Sequence, residues 1–145
     1  MRFATERDVD NLIAFLGQAD IDGKSIREIY GQFMVVEDEN GTITGTIGYE
    51  KAGSLGLLRS LVLKSGVDQA QLLYLMQSFF FYLEKQAVEK LYLVTDKKQS
   101  VPLFHAFGFE AVEKSDVPHA VSELQHFKRS IERPGSFILC GKTRL

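Results

Sequence analysis

Hydrophobic positions along this chain switch repeatedly between a period near 3.6 and a period of 2, and the switches predict the elements. Arg2 to Ala4 reads as a short strand. Val9, Leu12, Ile13 and Leu16 then recur at helical spacing behind Asp8, which is placed to cap them. Gly17 to Lys24 is polar and turn-rich, and Ser25 can open a brief second helix through Tyr30. Next, Phe33 to Val36 and Thr42 to Glu50 flank Glu39-Asn40-Gly41. In the second run Ile43, Ile47 and Tyr49 alternate with threonines, so the pattern predicts a hairpin, because Asn40 and Gly41 both tolerate positive φ. After Gly53-Ser54 a nearly continuous apolar run, Leu57 to Lys64, predicts a strand buried on both faces.

From Asp68 to Ala87 the pattern is helical, with Leu72, Met76, Phe79, Phe80, Leu83 and Ala87 on one stripe, and Leu91 to Thr95 reads as a buried strand. Strand, helix and strand in that order form a right-handed βαβ unit. A short helix over Val101 to Phe107 ends at Gly108, and a strand follows from Phe109 to Glu113. Asp116 and Pro118 open a helix that buries Val121, Leu124 and Phe127, and Ser136 to Lys142 is the last strand. Phe81 and Tyr82 fall off the helical stripe. They read as a covered flank of the core, with an exposed surface for a second copy or another partner as the alternative, so a homodimer stays open.

Composition narrows the class. With 145 residues, 45% hydrophobic and 25% charged, the chain suits one globular domain over residues 1–145, and no repeat or linker divides it. A net charge of -2 supplies no basic face for nucleic acid. The N-terminus lacks an apolar signal core, and no run reaches the roughly 20 apolar residues of a membrane span, so no membrane partner and a cytoplasmic location are expected. Cys140 stands alone in an apolar run and reads as a core residue. His119 and His126 are seven apart on the helix predicted there and have no third ligand nearby in sequence, so no metal is expected.

Paired strands, a βαβ unit and a short helix ending Phe104-His105-Ala106-Phe107-Gly108-Phe109 together resemble the GNAT superfamily of acyl-CoA-dependent N-acetyltransferases. The residues that carry the likeness are Leu58-Arg59-Ser60-Leu61-Val62-Leu63, Leu91 to Thr95 and Gly108-Phe109. Within the superfamily, Gly56 to Ser60 and Val117-Pro118-His119-Ala120 resemble acetyltransferases associated with arsenic resistance. The resemblance implies an α/β (α+β) fold: a mixed, mostly antiparallel sheet with a central parallel βαβ unit and helices on both faces. It also implies acetyl-CoA as co-substrate and a small-molecule or peptide amine as acceptor. Backbone groups of Leu61, Val62 and Leu63 would pair with the pantetheine arm. The pyrophosphate would sit on the next helix start, at Gln69, Ala70, Gln71, Leu72 and Leu73, where orphan amides and the helix dipole favour an anion.

Two departures accompany the resemblance. Aligned without gaps, Asp68 takes the place of the family's arginine or glutamine, and Gln71 and Leu73 take those of glycines; Asp68 and Gln71 are instead spaced as a capping box. Phe104 stands where the family commonly has a tyrosine acid, and its neighbour His105 reads as a solvated side chain. As base the resemblance suggests Glu50, at the end of its strand, or Asp22, in the loop between the first helices. The reading is therefore an N-acetyltransferase of unidentified acceptor with an altered phosphate loop. The alternative is a non-catalytic GNAT-like module that binds a protein or other ligand through the old cleft.

Overall fold

The computed structural model describes residues 2–19, 21, 23, 25–66 and 68–143, with Gln69 described by its backbone alone. Seven strands form one sheet: β1 (Arg2–Phe3), β2 (Phe33–Glu37), β3 (Ile43–Ala52), β4 (Leu55–Leu63), β5 (Lys90–Thr95), β6 (Glu110–Ala111) and β7 (Phe137–Lys142). Their order is β1-β2-β3-β4-β5-β7-β6. The β4–β5 pair is parallel, whereas β1–β2, β2–β3, β5–β7 and β6–β7 are antiparallel. This is the mixed, mostly antiparallel class that the resemblance implied, with the parallel pair where the hydrophobic pattern put a βαβ unit. The chain divides into two compact units, Met1–Tyr49 with Ser60–Phe79, and Glu50–Arg59 with Phe80–Leu145.

In the first unit, α1 (Val9–Gln18) turns Val9, Leu12, Phe15 and Leu16 inward. They join Ile26 of α2 (Ile26–Ile29) with Phe33, Val35 and Ile43 in one cluster. The ladder sets Phe33 opposite Gly48, and a Cβ at Gly48 would lie 2.6 Å from the Phe33 ring. Glycine is what lets the fully buried ring lie on the strand. Asp8 occupies the position before α1 but does not cap it. Its carboxylate takes both terminal nitrogens of Arg2, at 2.6 and 2.7 Å, and the Thr5 amide at 2.7 Å. The Arg2 guanidinium holds the Asp8 carboxyl well below the usual carboxylate range. The hairpin forms as a longer turn than Asn-Gly predicts: Asp38 Oδ1 accepts from the amides of Asn40 and Thr42, and among the described turn residues only Gly41 has positive φ.

α3 (Gln69–Lys85) runs through both units and buries Leu75, Met76, Phe79 and Leu83. Ala87, expected on that stripe, is exposed at φ +60° beyond the helix end. Phe81 is exposed, with Lys85 Nζ 4.5 Å from its ring centre, so the expected covered flank is open at this residue.

In the second unit, α4 (Val101–Ala106) places Phe104 edge-on to Phe109, with ring centres 5.6 Å apart. The helix predicted from Asp116 onward is two short ones, α5 (His119–Ser122) and α6 (Gln125–Ile131), separated by Leu124 in an extended conformation. The break still lets Val121 and Phe127 join Leu57, Tyr92 and Ile138 in one core cluster. Cys140, opposite Tyr92 in the β5–β7 ladder, is half-buried against that cluster; desolvation raises its thiol pKa and pushes Tyr92 up to about 12.

Candidate functional site

The parallel ladder between β4 and β5 runs from Leu55↔Lys90 to Leu57↔Tyr92 and stops there. β4 continues to Leu63. At Ser60 its backbone enters the left-handed region, φ +58°, which for a serine is an uncommon and mildly strained state. Burial changes at the same point: Gly56, Leu57 and Leu58 are buried, whereas Arg59 through Leu63 are half-exposed. The expectation of a strand buried on both faces thus holds only for its first half. Leu61, Val62 and Leu63 are apolar side chains on a strand end whose backbone is not used by the parallel ladder.

The same unit contains the start of α3. Asp68 Oδ1 accepts from the Gln71 amide at 2.8 Å, and Gln71 Oε1 accepts from the Asp68 amide at 3.1 Å. The spacing of these two residues had predicted this reciprocal box. The Leu72 amide reaches the Asp68 carbonyl at 3.2 Å. Helix geometry leaves the first amides without intrahelical acceptors, so Gln69 and Ala70 carry the first-turn donors that the box does not use. Gln71 also lines, with Val36, Thr44, Leu63 and Leu75, a cavity of about 20 Å³, room for roughly one water molecule.

The acceptor-side candidates fall differently. Glu50 is described and is not free: Arg59 donates to it from the neighbouring strand, and the two side chains are 21% and 11% exposed. Asp22 lies outside the described residues. Phe104 is buried and its phenyl ring has no exchangeable proton to give, and His105 is exposed.

Sequence reasoning missed the surroundings of Arg59. The His126 ring on α6 is partly buried, with Nε2 3.5 Å from Ser130 Oγ; burial first, and then the charges of Arg59, Arg133 and Arg129, push its pKa down to about 4. At neutral pH it is an uncharged imidazole within electrostatic reach of these guanidiniums. His119, expected to share a helix face with it, sits on α5, exposed and 3.2 Å from Glu123. The break between α5 and α6 is the reason. Among the described residues no group of three or more His, Cys, Asp or Glu could hold a metal ion, and no helix is long and apolar enough to cross a membrane.

Comparison with known proteins adds a relative and a fold. No family model matches the chain. The uncharacterized protein YwlB of Bacillus subtilis (strain 168) is 35% identical over 140 residues, covering 96% of this chain and 94% of that protein. Among solved structures, N-acetylglutamate synthase from Neisseria gonorrhoeae, complexed with coenzyme A and N-acetyl-glutamate, matches with a TM-score of 0.81 at 15% identity. That match covers 99% of this chain and 35% of the synthase chain, so the chain spans about a third of that protein's length. Rv2747 from Mycobacterium tuberculosis, in complex with CoA and NLQ, matches at 0.76 and 16% identity, over 97% of both chains. A GNAT-family acetyltransferase from Staphylococcus aureus Mu50 matches at 0.73 and 17%, over 97% of this chain and 96% of that one. At these identities the likeness shows the fold, which is that of the GNAT acetyltransferases.

Proposed function

The chain belongs to the family of Bacillus subtilis YwlB and has the GNAT fold, and on that premise we propose that it is an acyl-CoA-dependent N-acyltransferase. It would move an acetyl group from acetyl-CoA to a small-molecule or peptide amine, with residues 1–145 acting as one catalytic domain. The observation that carries this reading is the end of β4. A half-exposed apolar strand, Leu61 to Leu63, leaves its parallel ladder and is followed in the same unit by a helix start whose Gln69 and Ala70 amides take no part in the Asp68–Gln71 box.

In this reading the backbone of Leu61, Val62 and Leu63 pairs with the pantetheine arm. The amides of Gln69 and Ala70 take the pyrophosphate; Gln71, Leu72 and Leu73 contribute the rest of the first turns, and the Gln71 amide becomes available only if Asp68 lets go. First-turn amides and the helix dipole favour an anion, whereas the Asp68 carboxylate opposes it. The acceptor nitrogen then attacks the thioester carbon, forming a C–N bond as the C–S bond breaks. Glu50, fixed in direction by Arg59, takes the amine proton, as Asp22 also could from its own loop. With Phe104 in the acid position, the departing thiolate takes its proton from water.

Two observations favour a second reading, a non-catalytic GNAT-like module. The first turn of α3 is partly satisfied from within the chain, and position 104 has no proton to donate. Thermal unfolding with acetyl-CoA separates the two. At about 100 times its Kd a bound cofactor stabilises by ~2.7 kcal/mol, several degrees for a chain of this size. A rise of that order, with acetyl transfer to an amine panel, is expected. No shift at millimolar acetyl-CoA would overturn the enzyme reading in favour of the module.

A further inference from the structure

Independently of the acyltransferase reading, we propose that the second unit carries a ligand site of its own, which takes a small zwitterion with a separated carboxylate and ammonium. Its positive side is a pair of lysines. Lys90 opens β5, Lys142 closes β7, and the antiparallel ladder sets them directly opposite each other. Cross-strand partners project from the same face of a sheet with Cβ atoms about 5 Å apart, and like charges in that arrangement repel. Among the described residues neither lysine has an ion-pair partner.

Both lysines line one cavity of about 610 Å³, a volume within the usual range for small organic ligands. Every residue of its lining belongs to the second unit. Its floor is held by buried backbone bonding. Thr143, itself buried, donates from its amide to the Glu89 carbonyl at 3.0 Å and from its hydroxyl to the Val88 carbonyl. The Glu89 amide in turn reaches the Ser54 carbonyl at 2.7 Å.

The remaining charges of the lining are acidic. Glu84 comes from the last turn of α3, and Glu89 from the link to β5. Ala87 keeps that link short: at φ +60°, where glycine commonly ends a helix, it lets the Val88 amide return to the Leu83 carbonyl at 3.0 Å. The carbonyl end of α3 adds partial negative charge on the side of Glu84.

The four charges thus cancel in sum but are segregated by element, cations on β5 and β7, anions on the end of α3 and its link. All four side chains are exposed, so a ligand reaches them from solvent. A simple anion would meet Glu84 and Glu89, and a simple cation would meet the lysine pair. One molecule with a charge of each sign suits both sides. Its carboxylate has two oxygens to share between two ammoniums, which relieves their repulsion. Ala87 and the buried Val88 offer apolar surface to the methylenes between its charges.

Titration calorimetry on the full chain should compare ε-aminocaproate with caproate, hexylamine and inorganic phosphate. ε-Aminocaproate is expected to bind at least ~10-fold more tightly than each of the others, which lack one of its charged contacts. Lys142→Glu turns the like pair into an opposite one, so it should raise the melting temperature by about 1–4 °C and abolish ε-aminocaproate binding. A merely structural role for the lysine pair would move the first and leave nothing to abolish. Glu89→Gln, which keeps the backbone bonds of the floor, should weaken ε-aminocaproate about 3- to 10-fold and leave caproate unchanged. The proposal is overturned if caproate, hexylamine or phosphate binds as tightly as ε-aminocaproate, or if none of them binds at about 10 mM. It is equally overturned if Lys142→Glu binds ε-aminocaproate as the parent does. None of these results bears on acyl transfer, which the acetyl-CoA thermal shift tests separately.

Discussion

The start of α3 and the surroundings of Arg59 handle polar groups in opposite ways. At the helix start, Asp68 and Gln71 satisfy each other across three residues, both exposed, and the arrangement is complete within one turn. Around Arg59, the ion pair joins β3 to β4, both side chains are largely buried, and the partly buried His126 of α6 feels the Arg59 charge together with those of the exposed Arg129 and Arg133. A locally closed box contributes ~1 kcal/mol to its helix and competes with any anion that would use the same amides. An ion pair drawn from two strands and withdrawn from water must instead offset the desolvation of both charges. The difference teaches that the turn proposed for the cofactor must displace something of its own, whereas the carboxylate proposed as base is held by a partner from the next strand.

The sharpest way to break this comparison is Glu50→Gln. If the carboxylate is the proton acceptor, kcat should fall about 10²- to 10⁴-fold while the acetyl-CoA thermal shift is retained. A variant with unchanged kcat and a raised acceptor KM would make Glu50 a positioning residue for Arg59 instead. Asp22→Asn, assayed in parallel, shows whether the loop carboxylate does any of this work.

The pH dependence of stability tests the surroundings of His126 without any substrate. The folded pKa of His126 is about 4, below the ordinary 6.5. Between those values the unfolded chain binds a proton that the folded chain refuses, so stability is present above pH 6.5 and lost as pH falls toward 4. A shift of this size corresponds to at most ~3 kcal/mol, and partial exposure of the ring reduces that to about 1–3 kcal/mol. His126→Asn should flatten the melting-temperature profile between pH 7 and 4.5. An unchanged profile would show that neither burial nor the nearby guanidiniums lowers the pKa of this ring.

These two regions also mark what was legible in the sequence. The capping box could be read because Asp68 and Gln71 have a three-residue spacing that acts through local geometry alone. For the same reason the strand–helix–strand order and the Gly108 helix end were readable. Ser60 was not, because a serine in the left-handed region is imposed by the sheet around it and leaves no mark in composition. Nor was the break at Leu124, whose apolar spacing continues through the gap and suggests one helix. The Glu50–Arg59 pair did leave a signal: opposite charges on the two arms joined at Gly53-Ser54. The arginines around His126 left none, since nothing at the level of spacing connects residue 59 to residues 126, 129 and 133.

The smallest effect sharpens the comparison most. Asp68→Asn keeps a side-chain oxygen to accept from the Gln71 amide, so helix stability should change by no more than a few tenths of a kcal/mol. It removes the one carboxylate at the amides proposed for the pyrophosphate. Removing a like charge a few ångströms away in a solvated setting is worth about 1 kcal/mol, or roughly fivefold in affinity. Titration calorimetry with acetyl-CoA should therefore show tighter binding at an unchanged melting temperature for the free protein. Asp68→Ala, which also abolishes the cap, should tighten binding less, because the helix end then loses ~1 kcal/mol of its own stability. If neither variant moves the affinity, the cofactor's phosphates do not sit at this turn, and Asp68 and Gln71 serve the helix alone.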